Sequence, residues 1–227
     1  MVKIEEIKAA ATNIKPFVHK TPLVHSNSFS NFAGAEIYLK AENLQKTGSF
    51  KVRGAFNKMI GIDENKVIAA SMGNHAQAVA YAASKLGKEA KIIMPVSAPI
   101  VKEEATKGYG ADVVLYGERF KDALDHALSH KEHVFIHAFD DEKIIAGQGT
   151  LGLEIMEDLD KVDTILVPVG GGGLIAGISL VIKSLSPKTE IIGVQSEAAT
   201  SACRSFSSKK IIEVPPSPTI ADGIVIG

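Results

Sequence analysis

The sequence contains little that would direct the chain outside a reducing cell interior. Cys203 is the only cysteine among 227 residues, so no disulfide can form within the chain, and disulfides are rare in reducing compartments. No apolar run reaches the length of about 18 residues that a membrane span needs. Residues 1–17 alternate charged with apolar side chains and lack the apolar centre of a signal peptide. We therefore expect a cytoplasmic protein.

The sequence also has no excess of charge of either sign. Its 25 Lys and Arg residues nearly balance its 26 Asp and Glu residues, which gives a net charge of -1. A protein of this kind has no electrostatic attraction for nucleic acid or for an anionic membrane, and we expect neither as a partner. The 45% of hydrophobic and 22% of charged residues are typical of a globular chain of one or two domains.

Short apolar segments alternate with longer amphipathic segments. The apolar segments predict strands at residues 36–40, 67–71, 90–95, 112–116, 133–138, 164–169 and 191–196. The amphipathic segments predict helices at residues 50–60, 75–86, 100–109, 120–130, 143–159 and 174–185. This alternation is typical of an α/β fold with parallel sheets. Residues 205–219 are rich in Ser and Pro and predict an irregular surface segment.

Four consecutive glycines, Gly170 to Gly173, stand between a predicted strand and a predicted helix in the segment VPVGGGGLIAG. Glycines in this context allow several backbone N–H groups to converge on one anion at the helix N-terminus. We interpret the loop as a phosphate site, and the loop alone leaves the ligand open.

One ligand that suits the loop is a dinucleotide. Gly171, Gly173 and Ala176 match the G-x-G-x-x-G/A spacing, and Glu197 follows the next strand, where an acid could bind a ribose. Such fingerprints usually follow the first strand of a domain, whereas at least five predicted strands come before the strand that leads into this loop. This interpretation, an NAD-dependent oxidoreductase, gives no role to Lys51.

The other ligand is a cofactor that has one phosphate group and an aldehyde. Lys51 lies at the predicted start of a helix in KTGSFKVRGA, with Lys46 and Arg53 nearby. A helix N-terminus and neighbouring cations disfavour a charged lysine, so we expect its amine to be neutral more often than usual. A neutral amine attacks an aldehyde to form a Schiff base. Pyridoxal phosphate needs such a lysine together with a phosphate site.

Several motifs resemble those of the threonine/serine dehydratase family and its serine-racemase relatives, which are pyridoxal-phosphate enzymes of the tryptophan-synthase-β type. The motifs are KTGSFKVRGA, SMGNHAQAVA, AGQGT, VPVGGGG and TIADG, and the segment HKTPLVHS resembles the N-terminal part of the family. They occur in the family's order over nearly the whole chain. The resemblance implies a two-domain α/β fold, the pyridoxal-phosphate-dependent fold type II, in which helices flank parallel-rich sheets.

The resemblance also implies roles for individual residues. Lys51 resembles the lysine that binds the cofactor aldehyde, and Phe50 would shape the ring pocket. Asn74 would contact the ring hydroxyl of the cofactor. The residues that resemble the phosphate site are Gly170, Gly171, Gly172 and Gly173. The residues that resemble the loop for the substrate carboxylate are Ser71, Gly73, Asn74 and His75, and a helix that starts there would supply free N–H groups.

The sequence departs from the family pattern at a few positions. Racemases of the family hold a serine at the position of Met72, and a thioether cannot transfer protons, so we expect elimination without racemisation. Many relatives bind a divalent cation through a glutamate that resembles Glu197 and a later aspartate, where Cys203 stands. We expect no metal here, with Glu197 as the one candidate ligand. The family residue that faces the pyridine nitrogen belongs to a segment beyond Gly227, so we expect this chain to be a fragment that lacks one wall of the pocket.

The implied enzyme is an ammonia-lyase. It would convert L-threonine to 2-oxobutanoate and ammonia, and L-serine to pyruvate and ammonia, in isoleucine biosynthesis or threonine catabolism. The resemblance implies a large domain (residues 1–65 and 143–227), a small domain (residues 66–142), and a cofactor in the cleft between them. It also implies a homo-oligomer, either a dimer or a tetramer.

Other polar residues are expected to serve the structure. We expect His75 to form a hydrogen bond within its loop. We expect Gln148 to be a packing or helix-capping residue and not a catalytic one. Residues 140–143 predict a helix start, because acids are favoured in the first turn. Cys203 has no paired histidine motif and is expected to be inert. The histidines without metal-ligand spacing are His126, His130, His133 and His137.

Overall fold

The computed structural model describes residues 1–215 and 217–226. Its strands are β1 (Leu23–His25), β2 (Tyr38–Lys40), β3 (Lys66–Ala70), β4 (Glu89–Met94), β5 (Asp112–Leu115), β6 (Val134–Phe135), β7 (Thr164–Pro168) and β8 (Glu190–Val194). Its helices are α1 (Ile4–Ile14), α2 (Asn27–Ala33), α3 (Lys51–Ile60), α4 (Asn74–Lys85), α5 (Ile100–Gly108), α6 (Phe120–Ser129), α7 (Glu142–Asp158), α8 (Gly173–Leu185) and α9 (Ser201–Ser208). Short 3₁₀ helices span Glu42–Leu44 and Asp222–Ile224. Within the described ranges, every helix is too short or too polar to cross a membrane.

The larger sheet has four parallel strands in the order β5-β4-β3-β6. Successive side chains of a strand point to opposite faces, and here both faces are covered. Val67 and Ile92 belong to a buried cluster that includes helix α4, whereas Ile68 and Ile93 pack with Ala123 of helix α6. Strands buried on both faces are apolar throughout, which is why the sequence predicted them well. The α/β class is confirmed.

The smaller parallel sheet consists of β7 and β8, joined through helix α8. Helix α8 lies so close to helix α7 that the contact requires glycine. A methyl group at Gly177 would lie 2.5 Å from the carbonyl oxygen of Ile145 and 2.6 Å from the backbone nitrogen of Gly149. The glycines of the AGQGT motif therefore serve helix packing.

Helix α3 crosses helix α7 at a second contact between glycines. A methyl group at Gly147 would lie 2.6 Å from the Cα of Gly54. Beside this contact the buried side chain of Gln148 accepts a hydrogen bond from the Gly54 backbone nitrogen at 3.3 Å. This is the packing role that the sequence suggested for Gln148.

The structure differs from the sequence-based assignment near both ends of the chain. Strand β2 was predicted together with the parallel strands, but it pairs antiparallel with β1 in a separate two-stranded sheet. Helices α1, α2 and α9 were not predicted, and α9 occupies the beginning of the segment 205–219 that was expected to be irregular. Pro216 and Gly227 of the predicted surface and terminal segments lie outside the described residues.

One hydrophobic cluster joins the two regions that the resemblance implied as separate domains. It contains Val52 and Phe56 of helix α3 together with Val67 of strand β3 and Val79 of helix α4. The division at residues 65 and 143 places the four-stranded sheet in one part and the two two-stranded sheets in the other. The domain boundaries themselves stay a prediction.

A buried ion network fixes helix α3. Arg53 is fully buried, and its guanidinium donates to Glu42 at 2.8 Å from both Nε and Nη2. It also donates to Glu154 of helix α7 at 2.6 and 3.1 Å and to the carbonyl oxygen of His19 at 3.2 Å. Lys40 adds a contact of 2.8 Å to Glu154. Strand β2, helix α3, helix α7 and the N-terminal segment are thereby joined around one guanidinium.

We predict that Arg53→Met destabilises the protein by about 3–5 kcal/mol, because the variant leaves the mostly buried Glu42 carboxylate without its cationic partner and leaves Glu154 with Lys40 alone. Urea denaturation measures the loss. The matched control is Arg119→Met, which removes an exposed pair with Asp122 and should leave the unfolding midpoint nearly unchanged. Equal stability of Arg53→Met and the parent chain would show that the network is not needed.

Candidate active site

The side-chain amine of Lys51 is held inside the protein at the start of helix α3. Lys51 is the first residue of this helix and follows the N-cap residue Phe50. Its Nζ donates to the carbonyl oxygen of Ala138 at 2.9 Å and lies 5.4 Å from the centroid of the Phe50 ring. Burial lowers the pKa of Lys51 from 10.5 to about 8. A substantial fraction of the amine is therefore neutral near physiological pH.

The cause of this lowered pKa differs from the one that the sequence suggested. Lys46 is exposed, and the charge of Arg53 is matched by Glu42 and Glu154. Desolvation by burial, rather than the charges of Lys46 and Arg53, lowers the pKa of Lys51.

The segment from Ser71 to His75 connects strand β3 to helix α4. The hydroxyl oxygen of Ser71 accepts a hydrogen bond from the backbone nitrogen of Gly73 at 3.2 Å. Gly73 is the N-cap residue of helix α4. The first bond of the helical pattern runs from the Gln77 nitrogen to the Gly73 oxygen at 3.3 Å. The N–H groups of Asn74 and His75 precede that bond and point out of the helix start, which suits a carboxylate.

His75 has a different environment from the one expected. It lies inside helix α4 and not in a loop, and its imidazole is buried with Nε2 at 2.9 Å from the carbonyl oxygen of Ile136. Burial, with a smaller effect of the Lys51 charge, lowers the pKa of His75 to about 3. The neutral ring donates to Ile136, so only the backbone N–H of His75 is available to a ligand.

The glycine loop lies between β7 and α8, as predicted, and each glycine has a distinct surrounding. Gly172 is the N-cap residue of α8 with φ +86°, a conformation that other residues rarely adopt. A methyl group at Gly171 would overlap the ring of Phe139, and one at Gly173 would lie 2.8 Å from the Phe139 carbonyl oxygen. A methyl group at Gly170 would lie 3.2 Å from the Cα of Ile224.

Two segments that the sequence did not assign to the site therefore meet there. Ala138 contacts Lys51, and its neighbour Phe139 packs on the glycine loop. Gly223 of the TIADG motif faces Asn74, whose Nδ2 would be 3.7 Å from a methyl group at that glycine. One sequence feature could have pointed to Ala138 and Phe139. They lie between a predicted strand and Asp141, which caps helix α7 by accepting from two of its backbone nitrogens.

The candidate metal ligand does not belong to a ligand cluster. Glu197 is exposed beyond strand β8, and Cys203 is exposed on helix α9. In residues 1–215 and 217–226, no group of three or more His, Cys, Asp or Glu side chains has the arrangement of a metal site.

Comparison with known proteins assigns the chain to a family. The family model described as "pyridoxal-phosphate dependent enzyme" matches residues 14–227. The L-threonine ammonia-lyase of Thermotoga maritima is 49% identical over 100% of this chain, which spans 58% of that protein's length. A catabolic L-threonine dehydratase of Staphylococcus aureus is 47% identical over 98% of the chain and 67% of its own length. The solved structure of maize serine racemase superimposes with a TM-score of 0.95 at 36% identity, covering 99% of this chain and 70% of that one.

The described residues fit the cofactor of this family. Pyridoxal phosphate requires a reactive amine and a site for one phosphate group. The buried Lys51 amine meets the first need. The start of helix α8, where Gly172 is left-handed and a side chain at Gly171 would find no space beside Phe139, meets the second. The dinucleotide interpretation of Gly171, Gly173 and Ala176 loses its support, because the comparisons point to threonine ammonia-lyases and dehydratases instead.

We predict two different effects of alanine in the glycine loop. Gly171→Ala should destabilise the protein by about 1–3 kcal/mol, because the methyl group displaces the Phe139 ring. Gly172→Ala has open space around the methyl group but should cost about 1–2 kcal/mol through its left-handed backbone. Denaturation of the cofactor-free chain measures the decrease in the free energy of unfolding of each variant. Equilibrium dialysis measures how much each variant weakens the binding of pyridoxal phosphate.

The control for both variants is Gly108→Ala at the end of helix α5, where a methyl group meets nothing within 4 Å. This variant should keep full stability. A Gly171→Ala protein that is as stable and binds the cofactor as well as the control would contradict the close packing of Phe139 on the loop.

Proposed function

Because the chain belongs to the family of pyridoxal-phosphate-dependent enzymes, we propose that the protein is an ammonia-lyase that acts on L-threonine and L-serine. The observation that carries the proposal is the buried Lys51 amine, whose pKa is about 8 and which contacts the segment packed on the glycine loop. The substrate class is supported by the names of the Thermotoga and Staphylococcus relatives. Since the chain spans 58% of the first of them, the activity is proposed for the whole protein.

Each part of the site has a separate task in this proposal. Lys51 would hold the cofactor through its aldehyde, and the Lys51 amine would remove the proton from the substrate Cα. A base with a pKa of about 8 is close to the working pH, which favours proton transfer in both directions. Pyridoxal phosphate, when bound, supplies an aldehyde for the substrate amine and a ring that accepts the electrons left at Cα.

The two helix starts bind the anionic groups. The N–H groups of Asn74 and His75 at the start of helix α4 would hold the substrate carboxylate, with Ser71 and Gly73 completing the loop. The N–H groups of the glycine loop, from Gly170 to Gly173, would hold the cofactor phosphate, because helix N-termini favour negative charge. Phe50 and Asn74 would face the cofactor ring and its hydroxyl group.

The overall reaction releases ammonia: the β-hydroxyl group leaves as water, and water then hydrolyses the resulting unsaturated amine to the 2-oxo acid. L-threonine gives 2-oxobutanoate and ammonia, and L-serine gives pyruvate and ammonia. We further propose a cytoplasmic homo-oligomer, either a dimer or a tetramer, with no nucleic-acid or membrane partner and no bound metal. The balanced charge and single cysteine support the location, and the family resemblance supports the assembly.

A substitution of Lys51 tests the function. Lys51→Ala should abolish the release of 2-oxobutanoate from L-threonine, because the variant lacks the amine that would hold the cofactor and remove the Cα proton. The matched control is Lys107→Ala, which removes an exposed lysine of helix α5 that pairs with Glu103 and should keep the parent activity. Oxo-acid formation followed with a coupled dehydrogenase is the measurement. Activity of Lys51→Ala close to that of the control would reject the proposed role.

We also predict that the enzyme eliminates without racemising. Met72 lies between Ser71 and Gly73 and is 41% exposed, and its sulfur is only a weak acceptor that carries no transferable proton. Incubation with L-serine should therefore yield pyruvate with little D-serine. Met72→Ser should raise D-serine formation, whereas the control Met72→Leu should leave both products unchanged. Formation of D-serine by the parent enzyme at the rate of pyruvate would refute the prediction.

A further inference from the structure

The connection between strand β6 and helix α7 contains a turn that is closed by an imidazole. The Nδ1 atom of His137 accepts hydrogen bonds from the backbone nitrogens of Phe139 at 3.2 Å and Asp140 at 2.8 Å. Backbone N–H groups can only donate, so Nδ1 must be unprotonated. In a neutral imidazole the proton is then on Nε2. The turn thus requires a neutral His137 side chain that has its proton on Nε2.

Aromatic packing holds the imidazole in place. The His137 ring lies 6.0 Å from the Phe135 ring and 4.8 Å from the Phe139 ring, measured between centroids, and it is nearly perpendicular to both, at 75° and 88°. Edge-to-face contacts of this kind are favourable. The far end of the turn is fixed by Asp141, which caps helix α7 and pairs with Lys58 at 2.6 Å.

The residues inside this turn make the contacts on which the site depends. The carbonyl oxygen of Ala138 accepts from Lys51 Nζ at 2.9 Å. The ring of Phe139 occupies the space beside Gly171, and its carbonyl oxygen lies close to Gly173. The two adjacent residues Ala138 and Phe139 therefore connect the amine to the glycine loop, and His137 directs their backbone.

We propose that His137 is a positioning residue, whose neutral imidazole closes the 137–140 turn and thereby sets Ala138 against the Lys51 amine and Phe139 against the glycine loop. Its relevance to catalysis rests on the proposed function, whereas the closed turn can be measured without the cofactor.

The charges around His137 suit this role. Burial lowers the pKa of His137 below its usual 6.5, and the nearby charge of Lys51 lowers it further, while Asp140 and Asp141 act in the opposite direction. His75 of helix α4 also lies close enough to interact with it and is itself neutral because of burial. The neutral imidazole is thus favoured in the folded state. The turn should persist above pH 6.5 and open as the pH falls through the lowered pKa, where Nδ1 gains a proton.

Two substitutions separate the acceptor from the ring. His137→Asn places its side-chain oxygen where Nδ1 lies, since asparagine accepts from backbone nitrogens two residues ahead in the same manner. His137→Phe keeps an aromatic ring between Phe135 and Phe139 but has no acceptor for the backbone N–H groups of the turn. The control is His126→Phe, which makes the same change on helix α6, where the ring stacks on Tyr116.

The first readout is hydrogen exchange of the Phe139 and Asp140 amides, resolved by NMR in the full 227-residue chain without cofactor and divided by the intrinsic rate at each pH. Exchange in His137→Phe should be roughly tenfold faster or more, with no change in His137→Asn or the control. In the parent chain protection should fall below pH 6.5, and in His137→Asn it should not. If His137→Phe does not fold, the pH dependence of amide protection in the parent chain and in His137→Asn still tests the proposal. Protection that falls below pH 6.5 in both proteins or in neither would overturn it.

The second readout is the pH dependence of Lys51 acetylation, followed by peptide mass spectrometry. The midpoint should lie near 8 in the parent chain and in His137→Asn, and should move toward 10.5 in His137→Phe as water reaches the amine. Unchanged amide exchange in His137→Phe would overturn the proposal. Faster exchange with an unchanged Lys51 midpoint would also overturn it, because the turn would then not position the amine. Neither result depends on catalysis, so loss of the proposed function would be recognised separately.

Discussion

The buried guanidinium of Arg53 fixes helix α3, and with it Lys51, against three other parts of the chain. A guanidinium without solvent must be surrounded by acceptors, and Glu42, Glu154 and the His19 carbonyl provide them from three parts of the chain. Together with the close glycine contact between helices α3 and α7, this network fixes the position of helix α3. Lys51 is two residues before Arg53 on the same helix, so the anchor also determines where the amine can lie.

The candidate site is assembled from chain segments that each begin a helix. Helix α3 brings Lys51, helix α4 brings the N–H groups after Gly73, and helix α8 begins with the glycine loop. Their positive ends favour the anionic groups of a cofactor and a substrate. The 137–140 turn joins two of them, since it contacts both Lys51 and the glycine loop. Burial lowers the pKa of Lys51 to about 8, so part of the amine is neutral near physiological pH.

The sequence predicted those parts whose signal is local. The buried parallel strands are continuous apolar runs, and Lys51 and the glycines lie within short motifs that precede helices. Strand β1, with three residues, is too short to show a period, and the antiparallel pairing of β2 with it has no local signal in the sequence. The partners of Arg53 are distant along the chain, as with Glu154, which is 101 residues away, and no pattern links them. His137 looked structural because the two hydrogen bonds to its Nδ1 depend on a turn that only the folded chain reveals.

The central claim is that the buried amine of Lys51 is the group that binds the cofactor. Its most direct test is borohydride reduction of the protein loaded with pyridoxal phosphate, which makes the bond between the cofactor carbon and a lysine nitrogen permanent. Proteolysis and mass spectrometry then identify the modified residue. We expect the added mass on the peptide that contains Lys51, with no modification of the exposed Lys46 in the same motif. A cofactor found on Lys46 or on any other lysine would contradict this role of Lys51.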